Sequence, residues 1–400
     1  MDLVGGYPYW LIRDGLPYNY SSLDRSLTTD VVVMGGGIAG ALMAWQLINE
    51  GIACVVVDAR MIGLGSTCAN TSLLQYELDV PLAALQKKIG KKEALWAYQL
   101  CEKAIGKIAE THAAVNCSEF QHRKSIYFSA RKKHLSTLKK EFRVRKENGF
   151  DVSWFTEPEI REQFGFRSGG AILSAAAAQT DTYLFTHALH QASMQKGALV
   201  YDRTTIKKID DHHHPLLLTT DRGHMITCSK LVYANGYEAV NYIPKKLVSL
   251  QSTYAIASEP MGHADMSLPA DVLLWNTDDP YLYLRSTTDG RIIAGGRDEP
   301  FNKPGKRDRL IAKKSKQLKK EVDDLFPGMD LRPEFSWAGT FGTTEDGLPY
   351  IGCLPGKPHS YFALGFGGNG ITFSQVAAEI ISQIISKGHC PHADIFSFER

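Results

Sequence analysis

The apolar positions change period several times along the chain. Residues 30–34 form a β-branched run with no polar alternation, which predicts a strand buried on both faces. The run breaks at a glycine cluster, resumes at helical spacing over 40–49 and stops at Gly51; a second buried strand, 52–57, then ends on Asp58. Strand, tight turn, helix and strand close together read as a βαβ unit with parallel strands and a right-handed crossover. A helix is expected over 71–78. Leu82, Leu85, Ile89, Leu95, Tyr98, Ile105 and Ile108 predict two or three helices over 81–116. A short strand at 125–129 follows, then a basic amphipathic helix through Leu135, Leu138 and Phe142. Residues 182–196 read as a helix ending at Gly197, before strands at 199–201, 205–209, 216–220 and 231–234. The strand-like runs 252–257, 281–285 and 291–295 predict an antiparallel sheet in a separate layer. A lysine-rich helix is expected near 308–325, and the glycine-rich turn 365–370 opens a last helix that runs to 384.

With 400 residues, 44% of them hydrophobic, the chain exceeds what one core usually organises, so two domains are expected. The 45 basic and 43 acidic residues nearly balance, which argues against a nucleic-acid partner. The longest stretch without a polar side chain, 31–45, contains four glycines and falls short of the ~20 apolar residues of a membrane span. No integral span is therefore expected. The amino-terminal residues lack the pattern of a secretory signal, and an intracellular, cytoplasmic location is the default. Seven scattered cysteines without a C-x-x-C suit reduced thiols. His212, His213 and His214 read as a polar hairpin tip, and no metal is expected. The basic helices read as solvated faces.

Chemistry concentrates at Gly35-Gly36-Gly37-Ile38-Ala39-Gly40, a G-x-G-x-x-G between strand and helix. Gly35 makes the turn, Gly37 admits a pyrophosphate, Gly40 lets helix and strand approach, and the helix amino terminus offers N–H groups to the anion. Asp58 stands where a carboxylate can accept from a ribose 2′-OH. This fingerprint suits nicotinamide and flavin dinucleotides alike. The loop of small and hydroxyl residues, 63–70, favours flavin, because Gly65, Ser66, Thr67 and Asn70 can bind the pyrophosphate again and pass along an isoalloxazine. Its plainer reading is a helix cap. The turn Gly367-Gly368-Asn369-Gly370-Ile371 offers a second bare helix terminus, suited to negative charge on a reduced flavin.

The fingerprint, the 60–70 loop, the segment ending Ala234-Asn235-Gly236 and the terminal GFGGNGI together resemble the FAD-dependent D-amino-acid oxidase superfamily, which includes glycine oxidase, sarcosine oxidase and γ-glutamylputrescine oxidoreductase. The resemblance implies an α/β fold: a Rossmann-like FAD-binding domain, discontinuous over 29–80, 165–240 and 337–400, and a second α+β substrate domain built on an antiparallel sheet over 81–164 and 241–336, with 1–28 as a leader. It implies that Ala59, Arg60, Thr71, Ser72 and Leu73 join the fingerprint residues on the cofactor, that Ile206 offers its backbone to the adenine, and that Ala234, Asn235 and Gly236 approach from the other side. Ala69 and Gly339 stand near the positions of the family's attaching histidine and cysteine, which implies non-covalent FAD. Phe341 replaces the arginine that pairs with a substrate carboxylate, which favours an amine or N-substituted compound unless Arg285 or Arg297 substitutes. Tyr281 is expected to face substrate; Arg285 either pairs with an anionic substrate or anchors the domain interface. Ile292 falls near the oxygen-activating lysine, so the acceptor is oxygen or another oxidant. The expected reaction is hydride transfer from a C–N unit to flavin N5, then imine hydrolysis; the alternative is a hydroxy-acid or polyol-phosphate dehydrogenase that passes electrons to a quinone. Oligomeric state is not implied.

Overall fold

The computed structural model describes residues 1–211, 213–243, 247–262 and 268–400. The expected βαβ unit is Leu27–Met34, Ile38–Asn49 and Cys54–Val57. Val31, Val32, Val33, Val55, Val56 and Val57 are all buried, which explains a run without alternation. Leu27–Met34 lies at the centre of its sheet, parallel to Cys54–Val57 on one side and Met225–Tyr233 on the other. Leu199–Tyr201 and Ser360–Leu364 extend the sheet in parallel. Tyr350–Cys353 and the hairpin of Ile206–Asp210 with Leu216–Thr220 join it antiparallel, making eight strands among the described residues. The helix Ile38–Asn49 packs against Thr182–Gln195 and Gly370–Lys387. Leu42, Leu47, Leu189 and Ile381 enter the core this layer shares with the sheet, each contributing about 1.5–3 kcal/mol by leaving water.

A second, mostly antiparallel sheet has ten strands among the described residues. Its order runs Val4–Gly6, Pro333–Thr343, Ser249–Ser258, Ile292–Glu299, Tyr283–Ser286, Val272–Asn276, Gln121–Phe128, Ala171–Gln179 and Leu73–Gln75, with Val152–Phe155 also paired to Ala171–Gln179. Helix Pro304–Leu325 covers one face through Leu318 and Val322. This is the Rossmann-like layer with an α+β partner that the resemblance implies.

Two expectations need correction. Residues 71–78 are not helical: Ser72 takes a left-handed φ of 62°, and Leu73–Gln75 pairs with Ala171–Gln179 as an edge strand. Local propensity yields there to a tertiary ladder. Leu73–Gln75, Ala171–Gln179 and most of Pro333–Thr343 lie in segments expected on the dinucleotide side, yet they pair into the ten-stranded sheet. The leader also joins that sheet, through Val4–Gly6 against Pro333–Thr343. His212 lies outside the described residues; His213 and His214 sit between the antiparallel strands Ile206–Asp210 and Leu216–Thr220. Among the described residues, no helix is long and apolar enough to cross a membrane.

Candidate active site

The turn between strand Leu27–Met34 and helix Ile38–Asn49 has no room for side chains. Gly35 has φ 116°, and a Cβ there would meet the Ala234 carbonyl oxygen at 2.5 Å. A Cβ on Gly40 would lie 1.8 Å from the Gly35 oxygen, so Gly40 serves close helix–strand packing. Thr67 Oγ1 accepts from the Ile38 N–H at 3.0 Å, capping the helix from the neighbouring loop. Asp58 accepts from the Gly36 N–H through Oδ2 and from the Arg60 N–H through Oδ1, both at 2.7 Å. Burial raises the pKa of this carboxyl, against the pull of those two N–H groups. His190 braces the turn from helix Thr182–Gln195, its Nε2 3.0 Å from the Gly36 carbonyl oxygen. Because that partner only accepts, Nε2 carries the proton.

A cavity of about 400 Å³ opens on this turn. Gly35, Gly37, Ile38, Ala39, Asp58, Ala59, Arg60, Gly65, Ser66, Thr67, Asn70, Ile206, Ala234, Asn235, Gly236 and Gly370 line it, as expected for a dinucleotide site. Met1, Leu3, Thr204, Thr205, Tyr237, Glu238, Tyr242 and Phe366 also line it, and sequence reasoning did not find them. Tyr237 and Glu238 directly follow Asn235-Gly236, a usable signal; nothing in the leader marks Leu3. Arg60 makes a bidentate pair with Glu238 at 2.9 and 2.8 Å and donates to the Met1 carbonyl at 2.7 Å, closing one side of the cavity. Ser66 Oγ and Asn235 Oδ1 are enclosed and lack hydrogen-bond partners, although both residues line the cavity. Orphaned polar atoms beside a bare helix terminus fit a polar, anionic dinucleotide.

A second cavity, about 130 Å³, shares Ser66, Asn70, Tyr237 and Gly370 with the first, so the two adjoin. Strands of the ten-stranded sheet supply Leu73, Thr253, Tyr283, Asp298, Trp337, Gly339 and Phe341 to its lining, and Thr71, Tyr281, Gly367 and Gly368 come from loops. Tyr281 and Phe341, the residues expected at the substrate, both line this cavity. The Tyr281 hydroxyl donates to Asp79 Oδ1 at 2.9 Å, and the Gly368 N–H donates to Asp79 Oδ2 at 2.8 Å. Asp79 is exposed and lines neither cavity, and desolvation raises its pKa. Burial pushes the Asp298 carboxyl up to about 6, and its Oδ1 has no hydrogen-bond partner. Neither Ala69 nor Gly339, both in this lining, carries a nucleophile.

Five of the expected site residues lie off both walls: Gly40, packed against Gly35, and Arg285, Ser72, Asn369 and Ile371. The Arg285 guanidinium donates to the carbonyls of Ser72 at 2.8 Å, Thr180 at 2.9 Å, Thr71 at 3.3 Å and Ser286 at 3.2 Å, and it lies over the Trp10 ring. Burial pulls its pKa down to about 9. Arg285 is therefore an anchor between segments, not a substrate group. Ser72 is buried against Thr182, 2.7 Å between hydroxyls; Asn369 donates to the Gln75 and Glu77 carbonyls at 3.1 and 2.9 Å; Ile371 is buried in the core. Each holds the wall in place from behind. Arg297 is ion-paired to Glu321 and does not line the cavity either.

Comparison with known proteins agrees with this geometry. The chain is 23% identical to γ-glutamylputrescine oxidoreductase of Escherichia coli over 391 residues, 94% of this chain and 88% of that one. It is 23% identical to glycine oxidase of Bacillus subtilis over 369 residues, 89% of this chain and 92% of that one. The crystal structure of glycine oxidase from Geobacillus kaustophilus superposes with a TM-score of 0.78 at 18% identity, covering 91% of this chain and 96% of the other, a likeness of fold. The family model for FAD-dependent oxidoreductases, DAO, matches residues 30–384, so the chain belongs to that family and is an FAD-dependent oxidoreductase.

Proposed function

We propose that this enzyme oxidises the C–N bond of an amine or an N-substituted amino compound, with FAD held non-covalently. The observation that carries the reading is the second cavity: it adjoins the dinucleotide cavity, carries six aromatic side chains, and is lined by no lysine, arginine or histidine among the described residues. A substrate carboxylate buried there would lack a charge-assisted partner, as would the anion of a hydroxy acid or polyol phosphate. FAD, when bound there, would supply the two-electron acceptor for the hydride. The protein's own groups position and enclose. Asp58 and the turn 35–40 would hold the adenosine and pyrophosphate half, and Ser66, Thr67 and Asn70 the stretch that joins the two cavities. Tyr281, braced by Asp79, and Phe341 shape the substrate end and keep water out, so that the reacting carbon is held in one orientation. Water then hydrolyses the imine product. No acid or base is needed if the reacting nitrogen binds neutral.

An anaerobic visible titration tests this. A panel of secondary amines, diamines, N-substituted glycines and D-amino acids is added to the yellow holoenzyme, and oxygen is then readmitted. Bleaching by an amine class, with or without return of colour in oxygen, is the expected result. A flavin that stays oxidised with every amine and bleaches with a hydroxy acid would overturn the reading.

A further inference from the structure

The lining of the second cavity has an unusual charge. Asp298 is the one charged side chain among its described lining residues; Tyr254, Tyr281 and Tyr283 lie within its electrostatic reach, and Tyr237, Trp337 and Phe341 complete the aromatic lining. Asp298 reaches this face because the ladder slips. Ser252 pairs with Glu299 while Tyr254 pairs with Gly296, so one strand carries an extra residue, and Arg297 absorbs it with φ 60°. The bulge turns Arg297 toward Glu321 and Glu299 toward Lys314, both on helix Pro304–Leu325, and leaves Asp298 to the cavity. Both neighbouring charges are thereby satisfied on the helix side, and Asp298 Oδ1 is left without a partner.

We propose that this end of the cavity is a cation subsite: Asp298 and the surrounding aromatic rings hold an ammonium group of the substrate. The proposal rests on the C–N reading above and narrows it. A carboxylate stabilises the protonated form of any amine it holds, and a protonated nitrogen has no lone pair to assist loss of hydride from the adjacent carbon. The nitrogen bound at Asp298 is therefore not the one that reacts. The substrate class is a diamine or longer polyamine-like base, one nitrogen cationic at Asp298 and a second one neutral at the reacting carbon, with no carboxylate beside it.

The test uses an inert cation, pentyltrimethylammonium, with hexanoate as a control of similar length. Binding to the holoenzyme is read from the perturbation of the flavin spectrum, so no turnover is needed. The cation is expected to bind the parent at pH 8 at least about tenfold more tightly than it binds Asp298→Asn, and hexanoate is expected to bind neither. In the parent, affinity should fall about tenfold from pH 8 to pH 5, because the probe does not titrate and Asp298 does. The groups that face Asp298 are the Thr253 hydroxyl, which hydrogen-bonds it, Asp79 and Asp279, Lys314 from the helix behind, and Tyr254, Tyr281 and Tyr283, whose pKa values burial raises. Equal affinity in parent and Asp298→Asn, or tighter binding of hexanoate, would overturn the subsite. If Asp298→Asn does not retain flavin, the parent's pH series decides, and a flat profile counts against the proposal. Cation binding with no amine able to bleach the flavin would sink the C–N reading alone. Bleaching by amines without an Asp298-dependent cation site would sink the subsite alone.

Discussion

Arg285 and Asp298 exchange the roles that their charges suggest. A guanidinium near a substrate cavity invites assignment to an anionic ligand, but the donors of Arg285 are occupied by backbone carbonyls of three separate segments. Arg285→Met keeps the length and removes the donors, leaving buried acceptors unpaired at a cost of about 2 kcal/mol. The expected outcome is a lower thermal midpoint, with kcat/KM for the reducing amine changed less than about threefold. A large rise in KM at unchanged stability would return Arg285 to the substrate. Asp298 was not legible at this scale. Continuing the period-two pattern of 291–295 places residue 298 on the helix side of the sheet, and only the bulge at Arg297 reverses the phase. By contrast, Phe341 and Tyr281 could be placed from their neighbours in sequence, and both line the cavity.

At the scale of elements, the leader carries more structure than its composition suggests. Its short helix Tyr9–Asp14 buries Tyr9 and Trp10, and the Trp10 indole N–H donates to the Asn70 carbonyl at 2.6 Å, behind a residue that lines both cavities. The same indole lies 5.2 Å from the Arg285 guanidinium carbon. Trp10→Ala should therefore cost about 3–5 kcal/mol and loosen the 63–70 loop. We expect a lower urea midpoint and a reduced ratio of flavin to protein after gel filtration; a variant as stable and as yellow as the parent would show that the leader is dispensable. No sequence pattern reveals this docking, because six residues at helical spacing say nothing about what they cover. The long elements were different. The helices Ile38–Asn49, Thr182–Gln195 and Gly370–Lys387 and the valine strands repeat one period over enough residues to be read directly. The expected helix at 71–78 failed where the segment is short and the edge of a distant strand decides its conformation.

Over the whole molecule, buried titratable groups set how stability varies with pH. Burial holds His112, His187 and His190 down at about 4, whereas an unfolded imidazole titrates near 6.5. Between those values the unfolded chain binds more protons, so each histidine's contribution is complete above 6.5 and is lost as the pH falls toward 4. Asp58, Asp79, Asp181 and Asp298, all raised by burial, act in the opposite direction. A comparison isolates one term: the stability deficit of His112→Gln relative to the parent should shrink by about 2–3 kcal/mol between pH 7 and pH 4. Parallel stability curves for the two proteins would mean that His112 is already charged in the fold.

The strand order also constrains how the protein is made. Val4–Gly6 has its partner at Trp337–Gly339, and Met225–Tyr233 is flanked by Leu27–Met34 and Ser360–Leu364. A nascent chain leaving the ribosome carries Val4–Gly6 for hundreds of residues before its neighbour emerges, and Leu27–Met34 also waits for its second one; the ten-stranded sheet cannot close until residue 343 is free, nor the eight-stranded one until residue 364. Such non-local pairing delays folding and leaves strand edges open to other chains. Each layer can therefore be completed only late in translation, and dependence on chaperones, more than any single contact, should govern how much yellow enzyme a cell accumulates.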